Sequence, residues 1–191
     1  MRSIAMIAAV MSLAACQPAA GPRPKDPPPP LTAETQAELE RQIQGANALD
    51  ADLRGKVGLP AEPAGDTVIR IVQGSFMNRS QESLVAARTS AGWRLEWVDG
   101  KFATDSDKAT PARLRVIAVP PADGQRLDAL LADPALFRQS TYETRPGCMD
   151  GGAAVIDIRT PTARWTGYRQ CGGDPPVSKV TDILFELRPP E

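Results

Sequence analysis

The chain has 191 residues, a formal net charge of -1 and 42% hydrophobic residues, which suits one domain with extensions. That charge, with only 5% aromatic residues, argues against nucleic acid as a partner, since binding needs a basic stripe or a row of stacking rings. There is no histidine and there are three cysteines, so Ser–His–Asp and Cys–His catalysis lack their base and zinc lacks its usual ligand sets.

Met1-Arg2-Ser3 is a short positive start, followed by a run from Ile4 to Leu13 that is apolar except for Ser12. A bilayer span needs about 20 residues, so the run reads as the hydrophobic part of an export signal peptide over residues 1–15. It ends in Leu13-Ala14-Ala15-Cys16, which resembles the lipobox of bacterial lipoproteins. The resemblance implies cleavage between Ala15 and Cys16, diacylglycerol on the Cys16 thiol and an acyl chain, such as palmitate, on the new amine. It implies a lipid bilayer as partner. Gln17 stands where the enterobacterial sorting pattern has Asp for inner-membrane retention, which implies the outer membrane, facing the periplasm.

Residues 16–30 read as a lipidated, proline-rich tether. Pro18, Pro22, Pro24 and Pro27 to Pro30 fix φ and remove backbone donors. A polyproline II chain at about 3.1 Å per residue would hold a domain up to roughly 40 Å from the lipid.

Residues 31–58 are expected to form an N-terminal helix. Leu39, Ile43, Ala46, Leu49, Leu53 and Val57 recur at steps of three and four, and Thr35 with Glu38 has capping-box spacing. Leu59 to Gly65 breaks it, and an α+β domain is expected over 66–191. Thr67–Gln73 reads as a mostly apolar strand. Ser83–Arg88 and Trp93–Val98 read as a hairpin, with Trp93, Leu95 and Trp97 alternating with Arg94 and Glu96. Core packing of the tryptophans is preferred to an exposed aromatic binding face. Asp99-Gly100 is expected to be a turn and Arg113–Val119 a strand. A helix carrying Leu127, Leu130 and Leu131 follows, and Asp133-Pro134 caps a short helical turn. Ala154–Arg159 and Arg164–Cys171 form a second hairpin, and a last helix runs over Pro176–Leu187 with Val177, Val180, Ile183 and Leu184 on one stripe. The order predicts an α+β fold: a mainly antiparallel sheet of about five to six strands with two to three helices.

Cys148 and Cys171 flank the second hairpin. In an oxidising periplasm an even pair reads as a structural disulfide; the long spacing is unlike a redox Cys-x-x-Cys. The segment Cys148-Met149-Asp150-Gly151-Gly152 with Cys171-Gly172-Gly173 is similar to a pattern of uncharacterised secreted proteins of proteobacteria, and implies no activity.

No cofactor motif and no metal-ligand set stands out. Asp99, Asp105, Asp107, Asp123 and Asp150 are expected in loops, and Ser106-Asp107-Lys108 and Ser178-Lys179 lack Ser-x-x-Lys spacing. The sequence therefore points to a membrane-anchored envelope lipoprotein, a non-enzymatic binding or structural module with an envelope protein as partner. The alternatives are a periplasmic inhibitor of a lysozyme-like enzyme and a carboxylate-dependent cell-wall hydrolase.

Overall fold

The computed structural model describes residues 28–74, 80–101, 110–144, 152–173 and 175–188. The expected signal peptide, Cys16 and nearly all of the tether lie outside these residues. In chain order the elements are α1 (Ala33–Lys56), β1 (Val68–Gly74), β2 (Ser80–Thr89), β3 (Gly92–Lys101), β4 (Thr110–Ala118), α2 (Pro121–Ala132), a 3-10 turn (Leu136–Arg138), β5 (Tyr142–Thr144), β6 (Ala153–Arg159), β7 (Arg164–Gln170) and α3 (Val177–Glu186).

The strands form one seven-stranded sheet in the order β4-β3-β2-β1-β6-β7-β5. All neighbours are antiparallel except β5, which runs parallel to β7. This is the α+β fold with a mainly antiparallel sheet, with more strands than the pattern predicts. β5 escapes sequence reading because three residues, Tyr142 to Thr144, show no alternation and carry no turn signal.

Two local expectations are corrected. Asp99-Gly100 is not a turn: both lie inside β3, opposite Glu82 and Gln81 of β2. The glycine marks instead an irregularity in the β3–β4 pairing between Asp99 and Lys101, where a Cβ on Gly100 would lie 3.5 Å from the Ala112 backbone. The helical turn after Asp133-Pro134 starts later than expected, at Leu136. Asp133 still organises it, accepting the Ala135 N–H on its side chain (2.8 Å) and the Leu136 N–H on its carbonyl (3.0 Å).

Period-two alternation gives the sheet two different faces. One carries Ile69, Ile71, Leu84, Ala86, Trp93, Leu95, Trp97, Ile156, Ile158 and Trp165, and it packs against Leu127, Val177, Val180, Ile183 and Leu184 of α2 and α3. The tryptophans are thus core residues, as their alternation suggests: Trp97 is fully buried and Trp93 nearly so. Trp93 anchors α2 by donating its indole N–H to Asp128 (3.0 Å). The opposite face is crossed by α1. Thr32 caps that helix by accepting the Thr35 N–H (3.2 Å).

Gly167 of β7 shows how tightly the tryptophan face is filled. A Cβ there would sit 2.5 Å from the Trp165 ring and 2.8 Å from the Thr141 carbonyl oxygen, and that oxygen accepts the Tyr168 N–H (2.8 Å). Neither neighbour is a flexible side-chain end. Gly167→Ala is therefore expected to destabilise the fold by about 1–3 kcal/mol, the usual cost of overpacking. Urea unfolding checks this, and a wild-type midpoint would contradict the packing.

Candidate functional site between helix α1 and the sheet

The α1 face of the sheet holds a layer of buried charge. Arg70 lies mid-strand in Val68-Ile69-Arg70-Ile71-Val72 and points towards α1. It donates to Asp50 (3.2 Å) and Asn47 (2.7 Å) of the helix and lies 3.9 Å from Asp157 of β6. Asp50 is fully buried and also accepts the Ser83 hydroxyl of β2. Asp157 is held in turn by one edge of the Arg164 guanidinium, whose Nε and Nη2 donate to its two oxygens (3.0 and 3.2 Å), and by the Thr166 hydroxyl (2.6 Å). The Asp157 carboxylate raises the Arg164 pKa above its ordinary value, by its hydrogen bond first and its charge second.

One helical turn after Asp50, Arg54 makes a second anchor. Its side chain is 1% exposed; it donates to the Pro60 carbonyl (2.8 Å) and to Glu96 of β3 (3.0 Å), which also pairs with Arg94 (3.2 Å). The first half of α1 packs by apolar contact instead. Leu39 clusters with Val155 and Tyr168, and the Tyr168 ring stacks on Tyr142 at 5.3 Å. The helix therefore crosses the sheet from β7 to β3, apolar at one end and ionic at the other.

Between these two ends lies a groove of about 240 Å³. Its walls include Gly45, Ala46 and Leu49 of α1, Val72 of β1, Val155 of β6 and Tyr168 of β7, with Gln42 and Gln73 also on its lining, although the Gln73 amide itself turns to the other face and donates to Glu82 of β2. Among the described residues no charged side chain lines it. Its size is below that of a typical cofactor pocket, about 300–1,000 Å³, and suits a single apolar side chain. Burial pushes the Tyr168 phenol above its ordinary 10.0, with Tyr142 and Glu38 adding to the effect. At the outer end of the helix, a hydrogen bond from Gln42 and then one from Arg41 lower the Glu38 pKa.

The residues singled out from the sequence are dispersed. Cys16, Cys148, Asp105, Asp107 and Asp150 lie outside the described residues. Cys171 follows β7 with a left-handed φ of 64° and is disulfide-bonded; its expected partner Cys148 is among the residues not described. Asp99, expected in a loop, is in β3 and pairs with Arg115 (3.1 Å). Asp123, likewise expected in a loop, is in the first turn of α2 and pairs with Arg126 (2.9 Å). Both corrections have one cause: these carboxylates serve as strand and helix partners of arginines. Ser178 and Lys179 lie in α3.

The sheet register does set two carboxylates face to face, Glu82 and Asp99, on the tryptophan side. Glu82 is buried, accepts from Gln73 (2.9 Å) and pairs with Arg188, while Asp99 is held by Arg115. Each is ion-paired with a guanidinium, although the buried Asp99 Oδ1 accepts no hydrogen bond from the described residues. Among the described residues no group of three or more Cys, Asp or Glu converges on a point that could hold a metal ion, and no helix is long and apolar enough to cross a membrane. No protein-family model matches the chain, and comparison with curated proteins finds no relative.

Sequence reading missed Asp50, Arg54 and Arg70. The signal was present in Arg70, a charge inside an otherwise apolar strand, which is tolerable only with a buried partner. The acid–base spacing of Asp50 and Arg54 along the apolar stripe marks the helix that supplies it.

Removing Asp50 leaves Arg70 buried and short of its carboxylate. Asp50→Ala is expected to cost about 3–5 kcal/mol, and adding Arg70→Leu to recover part of that loss. Denaturant unfolding of both variants checks the pair, and equal losses would contradict the coupling. A second expectation concerns Tyr168. Its proton is held more tightly in the folded chain, so the unfolded chain releases it first as pH rises past about 10, and stability falls from there upward. In a tyrosinate absorbance titration, the step lost in Tyr168→Phe should lie above pH 10. A step at or below 10 would remove the burial argument.

Proposed function

We propose that this chain is a membrane-anchored envelope lipoprotein whose folded part is a non-enzymatic binding module. The observation that carries the reading is the groove beside α1, whose lining among the described residues is mainly apolar and holds no charged side chain. Such a lining rewards burial of an apolar group, at about 25 cal/mol per Å², and offers nothing for acid–base chemistry. The buried carboxylates around it, Asp50 on the α1 face and Glu82 on the other, are both committed to arginines. The occupant that fits is an apolar side chain of an envelope protein partner.

The address rests on the lipobox resemblance of Leu13-Ala14-Ala15-Cys16. Lipid on Cys16 would make the attachment, since each buried methylene contributes about 0.8 kcal/mol and two or three acyl chains hold durably. The α+β domain then needs no membrane-binding surface of its own.

Cells expressing the chain with a clickable palmitate analogue should label it. The label should vanish in Cys16→Ser, and the protein should leave the membrane fraction. A labelled Cys16→Ser variant, or a wild type without label, would refute the anchor. The groove is tested separately with Gly45→Leu. A Cβ at Gly45 meets nothing within 4 Å, and replacing a helical glycine gains up to about 1 kcal/mol, so the fold should keep its stability. Capture of a partner by a photo-crosslinker at Gln42 should then be lost; undiminished capture would remove the groove from the binding surface.

A further inference from the structure

The helix that covers one face of the sheet stops at β3, and the strand beyond it is uncovered. Among the described residues β4 is hydrogen-bonded on one side only, to β3. It carries the exposed large hydrophobic residues of the described chain, Leu114 at 36% and Val116 at 50%. Both stand on the α1 face, opposite Val98 and Glu96 of β3.

The main chain of the same residues faces outward. Val119 donates its N–H to the Trp93 carbonyl (3.0 Å). In an antiparallel ladder bonded pairs alternate with unbonded ones. Trp93/Val119, Leu95/Ile117 and Trp97/Arg115 are then the bonded pairs with β3, so the N–H and C=O groups of Leu114, Val116 and Ala118 point away from the sheet. Apolar side chains and unpaired backbone groups coincide on three alternate residues. Natural edge strands are normally short, or broken by inward charge or a bulge, to prevent association. β5, at the other edge, is three residues long; β4 is nine.

We infer that β4 is a dimer edge, which pairs antiparallel with β4 of a second copy about a two-fold axis at Val116. The sequence selects this register. With Val116 opposite Val116 of the second copy, Leu114 faces Ala118 and Arg115 faces Ile117. All three outward residues then find outward partners, giving about six new backbone hydrogen bonds. Slipping the pairing so that Arg115 lies on the axis sets two arginines directly opposite, which is destabilising. The slip that centres Leu114 sets Arg113 opposite Arg115. The arginines on the far face thus exclude the slips towards Leu114, while the opposite slip, which centres Ile117, sets Leu114 against Pro120, which has no N–H to donate. Such a closed, isologous contact would consume both edges and yield one continuous sheet across the dimer.

The test uses the full chain extracted from membranes in detergent, with sedimentation analysis corrected for bound detergent. The wild type should sediment as a dimer. Val116→Lys sets two ammonium groups opposite each other on the axis and should raise the dimer dissociation constant roughly tenfold or more. Diluted until both chains are monomeric, the variant and the wild type should share one unfolding midpoint, because the side chain is half exposed in the single copy. In a parallel measurement, Val116→Cys should give dimers with a short thiol cross-linker. Thr162→Cys, in the β6–β7 turn, should not. A wild type that is monomeric throughout, or becomes multimeric only on adding a foreign strand peptide, overturns the proposal. So does a Val116→Lys dimer as tight as the wild type, or equal cross-linking from Thr162→Cys.

Discussion

Arg70 is a charge in a place where a charge is expensive. β1 is the central strand, with α2 and α3 on one side and α1 on the other, so the guanidinium cannot reach bulk water by a simple change of rotamer. Desolvating such a group costs several kcal/mol before any partner is counted. The rest of the α1 face is arranged to offset that cost. Asp50 and Asn47 come from the helix, Asp157 from β6, and Arg164 then balances Asp157. Because the partners come from both α1 and β6, satisfying Arg70 also fixes where α1 crosses the sheet.

That crossing explains the uneven character of the two faces. The tryptophan side is an apolar core in which shape does the work, as the tight approach of Gly124 to Trp93 shows, where a Cβ would lie 3.0 Å from the indole. On the α1 side an apolar end at Leu39 and Tyr168 and an ionic end at Asp50 and Arg54 leave an unfilled stretch between them. The groove is the consequence of Gly45 and Ala46, whose small side chains do not reach Val72 and Val155. A leucine pair in their place would close it and make α1 an ordinary core helix. The small residues thus set the space available, and the ion pairs keep the helix from sliding inward to fill it.

Much of this fold could be read from periodicity. α1, the β2–β3 and β6–β7 hairpins, α2 and the stripe of α3 follow directly from steps of two or of three and four. Trp93 and Trp97 were legible as core because they share parity with Leu95. What could not be read were features that depend on long-range partners. β5 is too short to have a period, and its place beside β7 depends on a parallel pairing across some 26 residues. Asp99 looked like a loop carboxylate because Gly100 follows it, and only the register with Glu82 reveals the strand. Of the candidate site, the groove was invisible for the same reason: small residues on a helix carry no signal until the opposite wall is known.

The two ends of α1 also orient the molecule relative to its proposed anchor. Leu31, just before the helix, packs on the cluster of Leu39, Val155 and Tyr168, so the chain enters the domain at the β6–β7 side of the sheet. β4 lies at the opposite edge, five strand spacings from β7, or roughly 24 Å at about 4.8 Å per spacing. A lipid attached through the tether would therefore pull on one edge and leave the other facing away. The groove lies between them, against β1, β6 and β7, nearer the anchored side. On this arrangement the membrane, the groove and the β4 edge occupy separate parts of the surface. A pair of chains joined at β4 would carry its two tethers at the outer edges, so that both anchors could engage one bilayer without competing for the groove. Attachment by two anchors would raise the effective concentration of each for the membrane without any new contact.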